Sequence, residues 1–184
     1  IYLHRNKGLP FSRNLGIRLS KSEYISFLDA DDIWSTNKLK NQMNFMKEFN
    51  HDFTYTDYIP FILKNNKKIF MKSVIVRNSF NFDQFINDTS LATSSMMIKR
   101  SIINTIKFPK VKNLDDYCFK CRILKKGYNA IKLKKNPIFY RISDHTYSSN
   151  KFSSLYWLWR VNKKYNKLSF YMRTKSAFLI SLGV

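Results

Sequence analysis

The chain has 184 residues, 44% of them hydrophobic and 16% aromatic, which suits one folded domain with a proper core and excludes a disordered polar chain. With four Gly and four Pro, most of it belongs in regular elements, and no repeat or low-complexity tract interrupts it. A formal charge of +21 points to anionic partners, whether small substrates, a membrane surface or nucleic acid, and says nothing of fold.

The chain opens on Ile1-Tyr2-Leu3, an apolar strand candidate without an initiator Met or a signal-type leader, so it reads as a piece of a longer protein. Pro10 near a helix start and Gly16 near its end bracket a short helix carrying Ser12, Arg13 and Asn14. The apolar strand from Tyr24 to Leu28 then runs into Asp29-Ala30-Asp31-Asp32. Strand ends are where open α/β sheets place ligands, and carboxylates crowded there repel one another unless a hard divalent cation joins them. The alternative is a helix entry, with Asp32, Ser35 or Thr36 as the cap. In the helix that follows, Leu39, Met43, Met46 and Phe49 fall at helical spacing, which predicts a core stripe.

Phe53 to Tyr58 predicts a strand, and Lys64-Asn65-Asn66-Lys67 a polar hairpin turn between two apolar runs. Asn81 suits the cap of a short helix through Ile86. Ser95 to Ile98 predicts a buried strand feeding a helix from Arg100 to Ile106, closed by Phe108-Pro109. A helix beginning near Asp115 runs to Gly127 at its C′ position. Cys118 and Cys121 share one face of it, which predicts buried, reduced thiols and a cytosolic setting rather than a zinc or redox pair. Ala130 to Leu133 and Ile138 to Arg141 are two short strand candidates. From Ser153 onward, Trp157, Trp159, Tyr165, Phe170 and Tyr171 alternate with Arg160, Lys163, Lys164, Lys167 and Arg173, a pattern for a basic amphipathic helical pair. No segment reaches the roughly 18 uncharged apolar residues of a membrane span, although the chain stops within the apolar stretch Ala177 to Val184. The expectation is an α/β sheet with an antiparallel addition over residues 1–150, and a helical tail over 151–184.

Asn6-Lys7-Gly8, Ser12-Arg13-Asn14-Leu15-Gly16, the run from Tyr24 through Trp34, Leu114-Asp115-Asp116, and Tyr140-Arg141 followed by Thr146 and Ser148 stand in an order and spacing that resemble the family-2 glycosyltransferases of the GT-A fold. The resemblance covers most of residues 1–149. It implies a GT-A-like mixed sheet flanked by helices, N-terminally truncated because the family's first strand and base-holding loop would precede Ile1. It further implies metal-dependent, inverting transfer of a sugar from a nucleotide-diphosphate donor to an acceptor hydroxyl, in the synthesis of bacterial surface polysaccharide or lipopolysaccharide. Asp31 would bind the Mn²⁺ or Mg²⁺ that bridges the two phosphates. Asp29 would contact the nucleotide, its ribose or the ion, and Asp32 would support the ion through water. Arg13 and Asn14 would face the nucleotide, and Arg141 would cover the diphosphate.

Asp116 matches the Asp of the family's acidic pair and would be the catalytic base, with Asp115 standing where many relatives carry Glu. Thr93, Ser94 and Ser95 sit where relatives meet the acceptor, whereas His145 reads as a surface-loop histidine. The implied partners are a nucleotide-sugar donor, a saccharide or lipid-linked saccharide acceptor and, peripherally, the inner face of the cell membrane. Two rivals come from other classes: a nucleic-acid-binding module built on the basic aromatic segments, and a catalytically silent membrane-docking domain. The acidic turn argues against nucleic acid, because without a metal it repels phosphates.

Overall fold

The structure is a computed structural model that describes residues 5–142 and 151–182. The opening strand candidate Ile1-Tyr2-Leu3, His145, Thr146 and Ser148 lie outside the described residues. Helices α1 (Leu9–Leu19), α2 (Lys38–Glu48), α3 (Phe82–Phe85), α4 (Arg100–Ile103), α5 (Asp115–Lys125), α6 (Lys151–Lys164) and α7 (Phe170–Ser181) surround one mixed sheet. Its strands are β1 (Tyr24–Ser26), β2 (Ile33–Trp34), β3 (Phe53–Lys64), β4 (Lys67–Phe70), β5 (Ser79–Phe80), β6 (Met97–Lys99) and β7 (Ala130–Arg141). The order is β1-β6-β3-β7-β2, with β4 on β3 and β5 on β7.

Among the described residues only β3 and β7 pair in parallel. The other pairings are antiparallel. The acidic turn therefore joins the two ends of this strand order, since β1 enters it and β2 leaves it to pair with β7.

Local chemistry explains most of the elements. Asn6 Oδ1 accepts from Gly8 N at 2.9 Å, and Gly8 sits at φ 83, a left-handed turn that favours glycine and launches α1. Asn65 and Asn66 both take positive φ, 50 and 59, which closes the β3–β4 hairpin with the right-handed twist such turns need. Asn81 and Gln84 form a reciprocal capping box at the start of α3. Gly127 at φ 90 ends α5.

Four expectations are corrected. Gly16 lies inside α1, which continues to Leu19. The stripe on α2 is core only at Met46: Leu39 is 43% and Phe49 56% exposed, while Lys38 and Gln42 are buried beside Met46. The reason is rotation of the helix, which turns its i, i+4, i+8 row inward and leaves Leu39 and Met43 on the wall of an 810 Å³ cleft shared with Ile17, Ile25 and Phe27. Neither Ser35 nor Thr36 caps α2; Asn37 does so from a left-handed conformation, with no side-chain bond. The two strand candidates at 130–133 and 138–141 form one strand, β7. Asn136 at φ 57 kinks it, and the register against β3 shifts between Thr56 and Tyr58, which is how a strand accommodates Pro137.

A single cluster of buried side chains joins sheet and helices, from Ile25, Phe27 and Phe53 through Phe108, Phe119 and Ile123 to Leu158 and Val161 of α6 and Leu168 in the connection to α7. Phe108 and Phe119 stack at 3.8 Å between centroids, and Phe27 meets both edge-on at 5.4 and 6.0 Å. Truncating a buried Phe of this kind costs about 3–5 kcal/mol. Cys118 and Cys121 are free and buried, and burial pushes both thiols up to about 12. Inert reduced cysteines are what the sequence predicts.

Candidate functional site

The site is built around Arg13. Helix α1 aims its side chain between the acidic turn and the first turn of α5, where Nη2 donates to Asp29 Oδ1 at 2.6 Å and Nη1 donates to Asp115 Oδ2 at 3.1 Å. One guanidinium thus ties together carboxylates that are far apart in sequence, using the planar fork that suits two oxygen partners. Its carbon also lies 5.3 Å from the centroid of Phe108. The side chain is only 12% exposed. Burial works against its charge, but Asp29, and then Asp115, outweigh burial and leave the guanidinium pKa raised.

Asn14, the next residue, meets the backbone of the same aromatic: Nδ2 donates to Phe108 O at 2.9 Å and Oδ1 accepts from Phe108 N at 2.8 Å. The pair Arg13-Asn14 therefore fastens α1 to the segment that leads into α5.

The acidic turn is not a helix cap. Asp32 is buried at 8% exposure, and its Oδ1 accepts from the backbone N–H of Arg141 at 2.9 Å, so it pins the turn to the end of β7. Burial raises its pKa against the pull of the Ser94 hydroxyl and the Arg141 N–H. Asp29 is half-buried and Asp31 exposed. Arg141 enters the site through this backbone contact.

The 3₁₀ turn Thr93–Ser95 connects the two acidic groups. Ser94 Oγ accepts from Asp29 N at 3.1 Å, and its carbonyl accepts from Trp34 Nε1 at 2.8 Å. Thr93 Oγ1 donates to Asp116 Oδ2 at 2.9 Å.

Asp115 and Asp116 occupy the first two helical positions of α5, after Leu114 in a left-handed conformation. Carboxylates are stabilised at such a helix start. Their environments push them apart. Burial, and then the charge of Asp116, raise the pKa of Asp115 against the pull of Arg13. For Asp116 burial alone would raise the pKa, but Lys120, Thr93 and Arg13 outweigh it and hold the carboxyl well below the usual carboxylate range. Lys120 is 3% exposed and its Nζ donates to Asp116 Oδ2 at 2.9 Å, to Leu91 O at 2.8 Å and to Thr93 Oγ1 at 3.3 Å.

Sequence reasoning missed Lys120, although its spacing four residues after Asp116 on a helix was the signal that could have found it. It also passed over Lys38, and it took Trp34 only as the end of a motif. Lys38 Nζ lies 4.5 Å from the centre of the Trp34 ring and is buried without a hydrogen-bond partner among the described residues.

Hard oxygen donors suited to Mg²⁺ or Mn²⁺ are present in Asp29 and Asp31, on one turn two residues apart. Among the described residues no three His, Cys, Asp or Glu side chains are arranged to hold a metal ion by themselves. Two carboxylates and a substrate phosphate are a donor set such ions accept, so the residues fit an ion shared with a diphosphate.

Comparison with known proteins gives a consistent picture. The sequence profile described as Glycosyl transferase family 2 matches residues 1–129. WfaP of Escherichia coli, described as a UDP-Glc:alpha-D-GlcNAc-diphosphoundecaprenol beta-1,3-glucosyltransferase, is 30% identical over 151 residues, covering 81% of this chain and 57% of its own. TuaG of Bacillus subtilis strain 168, a glycosyltransferase assigned to teichuronic acid biosynthesis, is 28% identical, covering 95% of this chain and 68% of its own. Among solved structures, S. aureus TarS 1-349 in complex with UDP-GlcNAc superposes with a TM-score of 0.62 at 16% identity, over 95% of this chain and 52% of that one. The mannosyltransferase PcManGT from Pyrobaculum calidifontis, in complex with GDP-Man and Mn²⁺, gives 0.62 at 14% identity, over 96% and 50%. The fold is of the GT-A type. The chain spans between about half and two thirds of the length of these proteins.

Proposed function

Because this chain belongs to glycosyl transferase family 2, we propose that it carries the acceptor-activating and phosphate-facing parts of an enzyme that moves a sugar from a nucleotide-diphosphate donor to an acceptor hydroxyl. The observation that supports this most is the Arg13 bridge from Asp29 to Asp115, which brings the donor-side turn within one side chain of the acidic pair. Asp29 and Asp31 would hold Mn²⁺ or Mg²⁺, and the bound ion would supply Lewis-acid neutralisation of the departing diphosphate. Arg13 offers the nucleotide a guanidinium beside those carboxylates, Asn14 keeps Arg13 and α5 in register, and Arg141 lies at the end of β7, to which Asp32 pins the turn.

Asp116 is the base in this reading. It stays ionised, and its side chain is 33% exposed against 15% for Asp115, so it is the more accessible of the two to an acceptor. Lys120 and Thr93 both act on Oδ2, and we assign Oδ1 to the incoming proton. The acceptor oxygen bonds to the anomeric carbon as the carbon–oxygen bond to the diphosphate breaks, and the electron pair leaves with the nucleoside diphosphate. Attack opposite the leaving group inverts the anomeric centre.

For the acceptor we propose a lipid-linked saccharide of surface-polysaccharide synthesis, by analogy with the substrate in the description of WfaP. No helix among the described residues is long and apolar enough to cross a membrane. A cytoplasmic enzyme held peripherally at the inner membrane face by residues 151–184 fits such a substrate, with residues 1–150 forming the transferase domain.

Calorimetry of the full-length protein with UDP, GDP and Mn²⁺ tests the donor side. Nucleotide binding should strengthen with Mn²⁺ in the native protein and lose that dependence in Asp31→Ala. A variant that keeps the full Mn²⁺ effect removes Asp31 from the metal site.

A further inference from the structure

We propose that the groove between residues 110–113 and helix α6 binds the diphosphate of a polyisoprenyl-diphosphate acceptor, holding its attached sugar toward the acidic pair. This rests on the lipid-linked acceptor reading above. The groove measures 530 Å³, and Lys110, Lys112, Arg160, Lys163 and Lys164 line it with no carboxylate among its walls. None of the ion pairs among the described residues involves these five cations. No Asp or Glu occurs after Asp144, so the α6 wall of the groove carries no carboxylate of its own.

Three of the cations rest on aromatic faces instead, Lys164 Nζ lying 5.5 Å from the Tyr165 centroid. Lys112 Nζ and the Arg160 guanidinium carbon each lie 5.6 Å from a ring centroid of Trp157. Arg160 also lies 5.6 Å from the Tyr156 ring and donates to its hydroxyl at 2.9 Å. Such contacts hold a cation in place without neutralising it, so the groove presents fixed, uncompensated donors matched to phosphate oxygens.

Its placement joins it to the proposed chemistry. With the Asn113 amide oriented so that its nitrogen donates to Lys112 O at 2.7 Å, its oxygen accepts from Trp157 Nε1 at 2.8 Å. This closes the groove at the residue before Leu114-Asp115-Asp116. A sugar carried on a diphosphate in the groove therefore sits beside the start of α5. On the opposite wall Trp159 packs edge-on against Phe170 at 5.5 Å. Phe170 begins an exposed apolar surface on α7, with Phe170, Tyr171, Phe178 and Leu182 between 61% and 72% exposed, and that surface offers a path for an isoprenyl chain.

The same features disfavour two other occupants. A flat bilayer meets a convex, amphipathic surface and has no need of a concave cationic groove. Single-stranded nucleic acid needs open ring faces for stacking, and cations lie against the Trp157 ring.

The test measures binding of farnesyl diphosphate, farnesol, inorganic pyrophosphate, anionic phosphatidylglycerol vesicles and a single-stranded oligonucleotide to the native chain and to Lys112→Gln, Arg160→Gln and their double variant. Both residues are exposed, so folding should survive, as a melting curve checks. Farnesyl diphosphate should bind the native chain, pyrophosphate should compete, farnesol should not, and each substitution should weaken binding by about tenfold, the size of one charge-assisted contact. Unchanged farnesyl diphosphate binding in the double variant would overturn the proposal. So would a variant that loses only vesicle or oligonucleotide binding, which makes the patch a bilayer or nucleic-acid surface. Because this readout needs no turnover, absence of nucleotide binding by the full-length protein would sink the transferase reading separately.

Discussion

The acidic centre around Arg13 and the basic groove on α6 handle charge in opposite ways. At the centre, Arg13 lies between Asp29 and Asp115, and Lys120 is buried against Asp116. In the groove, Lys112 and Arg160 lie against Trp157 with no carboxylate in the lining. Paired, desolvated groups are already in place before any ligand arrives, which is how a protein preorganises charge for a reaction. Uncompensated groups on a rim remain available to an external anion. On the proposed reading the first region positions substrate and the second attracts it. Both stand on one core, since Phe108 and Phe119 belong to the same cluster as Leu158 and Val161.

The largest effect expected from breaking the contrast comes from Asp116→Asn in the full-length protein. A positioned base contributes roughly 10²–10⁴-fold to rate, so transfer should fall by about that factor while nucleotide binding and folding persist. Turnover within about tenfold of native, measured with saturating donor, would move the proton acceptor elsewhere, with Asp115 next in line. Groove substitutions should not reproduce this result, because they remove attraction and leave the reacting groups intact.

Converting the balanced centre into an unbalanced one gives the next effect. Lys120→Met keeps the length of the side chain and removes its charge, leaving Asp116 with Thr93, Arg13, Asp115 and the nearby Tyr140 and Cys118. Since Lys120 helps hold the Asp116 carboxyl below its ordinary value, its loss should shift the acid limb of kcat/KM to higher pH. The same linkage sets the sign for stability. A carboxyl whose folded pKa is depressed stabilises the fold above the unfolded pKa of about 4, and that contribution fades as pH falls through the lower folded value. The variant should therefore lose about 2 kcal/mol at neutral pH, with Asp116 one-third exposed reducing the loss, and the gap to native should narrow below about pH 4. A drop in melting temperature with an unmoved acid limb would make Lys120 a packing residue only.

What the sequence disclosed and what it hid follow from the range of the forces involved. The Asn65-Asn66 turn, the Asn81 cap and Gly127 were legible because each acts on its own backbone within a few residues. Asp29, Asp115, Asp116 and Arg13 were legible as motif members, but nothing local says that one guanidinium spans Asp29 and Asp115. Asn14 looked like a group for the nucleotide, yet its amide is engaged with the Phe108 backbone, a contact that only the fold can supply. The α2 stripe failed at Leu39 and Phe49 because periodicity reports that a helix has two faces, and it cannot report that Lys38 and Gln42 lie with Met46 on the inner one. Gln42 is there because its Nε2 bonds Thr54 Oγ1 and Ser95 O, long-range partners that overrode hydropathy. The polar seam that docks the tail, in which Tyr117 Oη and Asn166 Nδ2 both donate to Asn162 Oδ1, was hidden for the same reason.

Lys38 sharpens the comparison from a third side, as a cation with neither a carboxylate nor open solvent. It is 1% exposed, and burial pushes its pKa down to about 7. A lysine whose folded pKa is depressed holds fewer protons folded than unfolded between that value and the unfolded pKa of about 10.4, so stability rises with pH across that window. Below pH 7 the fold must carry the ammonium beneath Trp34. Lys38→Met should remove this burden and flatten the rise, and the net gain at neutral pH should be small, about 1 kcal/mol, because the contact with the Trp34 ring is lost at the same time. Urea melts of both proteins at pH 6, 8 and 10 check it, and a native stability curve with no upward slope between the first two would remove Lys38 as the titrating group. The site should register the substitution through Trp34, whose Nε1 bonds Ser94 O while Ser94 Oγ receives the Asp29 N–H.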